Sequence, residues 1–120
     1  MSTNPSNVST KRLSLHTTSQ GDGTVIVTCT GELVSGVTDM LYREVKSLIP
    51  DSKRIILDFS DLARVDSMGL GTLVRLYVSA KSAGCVLELR NLSKRVRELM
   101  GLTHLLSVFE TCAENDIRIV

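Results

Sequence analysis

The sequence has no apolar run near the roughly 20 residues that cross a bilayer, no excess of charge of one sign, and no paired cysteine spacing. Each absence removes a class of function. The opening segment, Met1 to Thr10, is polar and lacks a basic stretch followed by an apolar core, so neither export nor membrane insertion is expected. Lys and Arg number 14 against 13 Asp and Glu, a formal net charge of +1. That balance gives no general drive toward polyanions, whose capture needs clustered cations, so nucleic acid is not an expected partner. Cys29, Cys85 and Cys112 are odd in number and widely spaced, unlike a disulfide framework or a zinc motif, and read as reduced, buried thiols of a cytoplasmic protein. His16 and His104 are isolated, so no metal or cofactor is expected.

What the chain does have is enough for one α/β domain. Its 120 residues, 42% of them hydrophobic, can fill a single core but not two. Residues 1–10, rich in Ser, Thr and Asn, cannot bury enough to offset their ordering entropy and read as a disordered tail before a domain over 11–120. Leu13–Thr17 and Thr24–Thr30, around a Gly-Asp-Gly turn, read as a hairpin, with Val25, Val27 and Cys29 on one face. Gly31-Glu32-Leu33 leaves that strand. A helix capped by Thr38 then runs to Ile49, with Leu41, Val45 and Leu48 at helical spacing and Pro50 as its stop. Arg54–Phe59 reads as a central strand and Ser60–Val65 as a loop.

In the next helix Leu70, Leu73, Val74, Tyr77 and Ala80 form a stripe that ends at Gly84. Cys85–Leu89 is the following strand, and Ser93 caps a short helix through Met100, ended by Gly101. Leu105–Phe109 is a candidate strand, and the segment from Thr111 onward a candidate helix. Alternating strands and helices imply a partly parallel sheet. Leu57, Leu73, Val74 and Val86 are expected in the core.

The informative stretch is Asp58-Phe59-Ser60-Asp61-Leu62-Ala63-Arg64-Val65-Asp66-Ser67-Met68-Gly69-Leu70-Gly71, running from a strand's end into a helix's first turn. Ser67 falls at or next to the helix N-cap, where unpaired N–H groups and the positive end of the dipole tolerate a phosphate. Asp-Ser before a helix is often only a cap. Here Gly69 and Gly71 weaken the helix by about 1 kcal/mol each relative to Ala, and they leave the first turn open to a partner's close approach.

This stretch, with Thr30-Gly31-Glu32-Leu33 and Gly84 before a strand, resembles the signature of STAS domains, specifically the stand-alone anti-sigma-factor antagonists. The resemblance runs over most of the chain from about Leu13. It implies a single STAS-like α/β domain whose mixed sheet has four to five strands packed with about four helices. It also implies that Ser67 is the phosphoacceptor, and that Asp66, Met68, Gly69, Leu70 and Gly71, with Glu32 and Ser60, face the partner. That partner would be an anti-sigma factor with serine kinase activity, captured while Ser67 is unphosphorylated so that sigma factor is freed, and a Ser/Thr phosphatase would reset the switch. The other function open to the family is a structural subunit of a signalling scaffold or transporter complex, with no switch. Two positions depart from the family pattern: Met68 replaces a hydroxyl residue, and Val34 an acidic one.

Enzymatic readings fit less well. The flanks of Ser67 are Val65 and Gly69, so the first of the two glycines of a hydrolase's nucleophile elbow is missing. A receiver domain would need an acidic pair for Mg²⁺ where Glu32 stands alone. Gly69 and Gly71 lack the third glycine of a dinucleotide fingerprint. Arg90, Lys94, Arg95 and Arg97 cluster beside Ser93 and read as a solvated face that can meet an acidic partner rim.

Overall fold

The computed structural model describes residues 6–102. Five strands form one mixed sheet in the order β1 (Ser6–Ser9), β2 (Leu13–Ser19), β3 (Thr24–Leu33), β4 (Arg54–Val65), β5 (Val86–Arg90). The first three pair antiparallel and the last three parallel. The parallel pairs are bridged by helices α1 (Thr38–Leu48) and α2 (Ser67–Ser82), and α3 (Lys94–Leu102) follows β5.

Register explains the core. Val25, Ile55 and Leu87 lie side by side, as do Val27, Leu57 and Leu89, so one face of the sheet is continuously apolar. On that face pack Leu41 and Val45 of α1 and Leu70, Leu73, Leu76, Tyr77 and Ala80 of α2, all buried in one cluster. Leu76 adds to the expected stripe, whereas Val74 is only half-buried, because the helix rolls slightly toward Leu76. Val86 is also half-buried, since it opens β5 opposite Arg54 on the face away from Leu87.

Other expectations are corrected as well. Ser6–Ser9, read as part of a disordered tail, pair with β2 as an edge strand, their backbone groups satisfied by the Ser14–Thr17 register rather than by apolar burial. β3 does not end at Thr30 but continues through Gly31-Glu32-Leu33, and Ser60–Val65 is strand rather than loop. Two register shifts add residues to β4, between the partners of Thr28 and Thr30 and of Gly31 and Glu32. These bulges bring Phe59, Leu62 and Val65 inward at three-residue spacing, which defeats a period-two reading. Thr38 does not cap α1: Val37 holds that position, with no side-chain cap bond, and its N–H donates to the Val34 carbonyl at 3.1 Å.

Pro50 falls in a short 3-10 turn, Ile49–Asp51, that closes α1. Gly84 takes φ +73 just after α2, as its position suggested. Ser93 Oγ accepts the Val96 N–H at 3.1 Å, but α3 passes through Gly101 to Leu102. Cys29 and Cys85 are free and buried, and burial, with the Asp58 carboxylate nearby, pushes the Cys29 thiol up to about 12. The expected strand Leu105–Phe109, the expected helix from Thr111, His104 and Cys112 lie outside the described residues.

Candidate functional site

The site forms where β3 and β4 end together, Leu33 opposite Val65, so that the chain leaving each strand meets the other. Asp66 joins them. Its N–H donates to the Leu33 carbonyl at 3.2 Å, and Ser35 N–H donates back to Asp66 Oδ2 at 2.8 Å. Asp66 Oδ1 accepts the Gly69 N–H at 3.0 Å as the N-cap of α2, and the Asp66 carbonyl accepts the Leu70 N–H at 3.0 Å. One residue thus ends a strand, starts a helix and ties down the neighbouring loop.

Those bonds commit both carboxylate oxygens. Burial pushes the Asp66 pKa up, but the N–H groups of Ser35, Gly69 and Met68 and the charge of Arg64 outweigh it, and the carboxyl is held below its ordinary value. An ionised carboxylate spent on backbone donors is an anchor, not a base for activating its neighbour.

Ser67 is the first residue of α2 and is exposed. The cap falls to Asp66, so the Ser67 hydroxyl is free for another task. Met68 follows with 56% of its surface exposed, an uncovered apolar side chain next to the hydroxyl. Gly69 and Leu70, expected on the partner-facing turn, point inward instead. A Cβ on Gly69 would lie 2.3 Å from the Leu33 carbonyl oxygen and 2.9 Å from Val65 Cγ1, so this glycine lets the helix start pressed against the strand ends. Gly71 is exposed and faces open space.

Glu32, one residue before Leu33, lies between two guanidinium groups, Arg12 at 3.6 Å and Arg64 at 3.7 Å. It braces the strand ends beside the loop. Ser60 is exposed but belongs to a separate cluster lower on β4, where its N–H donates to Asp58 Oδ1 at 2.9 Å and Asn91 Nδ2 donates to the same oxygen at 2.9 Å. Burial raises the Asp58 pKa, but the bonds from Asn91 and Ser60 and the charge of Arg90 outweigh it, so the carboxyl is held below its ordinary value. Val34 is 2% exposed, so the position expected to be acidic in the family contributes to the core. Sequence alone did not point to Ser35, Arg12 or Arg64; the Ser35-Gly36 turn pair was the available signal for the first. Among the described residues no group of three or more His, Cys, Asp or Glu is arranged to hold a metal, and no helix is long and apolar enough to cross a membrane.

The family model described as the STAS domain matches residues 17–116. The anti-sigma-B factor antagonist of Bacillus subtilis (strain 168) is 26% identical over 97 residues, spanning 81% of this chain and 89% of that protein. Two solved structures share the fold at 18% identity. The anti-sigma factor antagonist SpoIIAA in its unphosphorylated form superimposes with a TM-score of 0.70, over 88% of this chain and 87% of that one. The Bacillus cell fate determinant SpoIIAA in the phosphorylated form gives 0.66, over 88% and 90%.

Proposed function

The chain belongs to the STAS domain family, and we propose that it works there as an anti-sigma-factor antagonist, a binding protein rather than an enzyme, controlled by phosphorylation of Ser67. In the unphosphorylated state the Ser67 loop, with Asp66, Met68 and Gly71, engages an anti-sigma factor that is also its serine kinase, and sigma factor is released. A Ser/Thr phosphatase restores the binding state. The protein acts in the cytoplasm. Support comes from the similarity to the Bacillus subtilis antagonist and from one observation above others: Ser67 is exposed at the start of α2 while Asp66 alone carries the cap.

The physics of the switch is local. A phosphate brings about 1.5 to 2 negative charges next to the ionised Asp66, yet the first turn of α2 tolerates an anion. The free domain therefore keeps its fold. A partner surface matched to the bare loop must either repel the phosphate or bury it unpaired. Met68 beside Ser67 favours a second reading, a permanent apolar interface in a signalling scaffold or transporter complex. Co-purification from native cells separates the two. A small ATP-binding partner, lost when Ser67 is phosphorylated, supports the switch; a large assembly unaffected by phosphatase treatment supports the scaffold.

A further inference from the structure

The last residue of β4 paired to β5 is Asp58, opposite Arg90, yet β4 continues to Val65. Beyond Asp58, among the described residues, only β3 runs beside it, so the outer edge of Ser60–Val65 carries backbone donors and acceptors with no strand across from them. The bulge that follows Asp58 swings this stretch away from β5. It opens a groove of about 320 Å³ against α3, with Ala63, Arg64 and Val65 on one wall and Arg95, Val96 and Glu98 on the other.

We propose that this groove is a docking site for a short, extended acidic segment of a partner protein. The open edge supplies main-chain hydrogen bonds, as in strand addition, and the bulges limit the regular edge to a few residues, which suits a short segment rather than a long strand. The walls are apolar at Val65 and Val96, and the rims carry exposed Arg64 and Arg95. Charge selects the occupant. Lys94, Arg95 and Arg97 are exposed at the start of α3, with no acidic residue in its first turn, so cations crowd the positive end of the helix dipole. That arrangement costs the free helix stability, and an acidic ligand relieves it. Against these cations stand the carboxylates of Asp66 and Glu98 at the groove and Glu32, which pairs with Arg64 at 3.7 Å, so the attraction for an acidic ligand comes chiefly from Lys94, Arg95 and Arg97. The proposal does not depend on phosphorylation of Ser67.

The test is titration of the unphosphorylated full chain with a fluorescent peptide of about seven residues alternating Glu and Val, followed also by amide NMR shifts. Saturable binding with shifts in Ser60–Val65 and Lys94–Glu98 is expected. Replacing Glu by Lys in the peptide abolishes it, and so does N-methylation of the peptide's edge-facing amides, a change that leaves the protein untouched. Arg64→Gln with Arg95→Gln weakens binding about fivefold, while Glu98→Gln strengthens it about twofold. Equal binding of the Lys or N-methylated peptide overturns the proposal, as does no binding. So does protection of the edge amides of residues 61–65 from exchange in the free protein, which would show the edge already occupied by the chain itself or a second copy; the Ser60 N–H, bonded to Asp58 Oδ1, is left out of this reading.

Discussion

Gly69 lies so close to Leu33 that an added Cβ would stand 2.3 Å from the Leu33 carbonyl oxygen. That oxygen also accepts the Asp66 N–H, so the first turn of α2, the end of β3 and the cap are one packed unit. Gly69→Ala must push the helix off the strand and is expected to cost about 2 kcal/mol or more, the range of overpacked or strained core positions. Gly71→Ala, in open space on the same helix, should stabilise by about 0.5–1 kcal/mol. Denaturant melts of both variants check the contrast. Equal effects would mean that the helix start is not pressed against β3.

Asp66 anchors the loop through bonds that need its ionised form. Its folded pKa is depressed, so its contribution is present above the unfolded value of about 3.9 and is lost as pH falls through the lower folded value. Asp66→Ala should cost about 1–2 kcal/mol near neutral pH, and the gap to wild type should close in acid. Urea melts at about pH 7 and about pH 2.5 measure it; a constant gap would show that ionisation is not what holds the loop.

Glu88 is fully buried on β5 and bonded to Arg54 of β4, with Arg90 at 3.4 Å. Removing Arg54 leaves a buried carboxylate with less compensation, so Arg54→Met is expected to cost about 3 kcal/mol. Adding Glu88→Leu should recover much of that loss. A double-mutant cycle reads the coupling, and strict additivity would show that the two charges do not depend on each other.

Leu73 is 0% exposed at the centre of α2, and Leu73→Ala should cost about 2–5 kcal/mol. Half-buried Val74 should lose far less on the same truncation. A larger loss at Val74 than at Leu73 would invert the helix phase.

Much of this architecture was legible in the sequence because local chemistry and tertiary packing agree there. Val25, Val27 and Cys29 alternate and are buried, and Gly84 has the left-handed φ its place predicted. The upper half of β4 was not legible, because its bulges put Leu62 and Val65 inward at a spacing neither strand nor helix periodicity describes. At the site, Ser67 and Asp66 could be located from their position before the helix. Which of them caps, and which glycine is packed and which open, depends on Leu33 and Ser35, more than 30 residues earlier in the chain. Long-range contacts of that kind leave no local signal.

Ser67 is proposed to switch binding without supporting the fold. What decides this is the affinity of the proposed anti-sigma-factor partner for wild type, Ser67→Ala, Ser67→Asp and protein phosphorylated at Ser67, with the melting temperature of each. Melting temperatures should be unchanged within about 2 °C, Ser67→Ala should bind like wild type and Ser67→Asp more weakly, and phosphorylation should weaken binding about a hundredfold or more, the scale of an unpaired charge buried at an interface. Phosphorylated protein and Ser67→Asp that bind as tightly as wild type would contradict the switch.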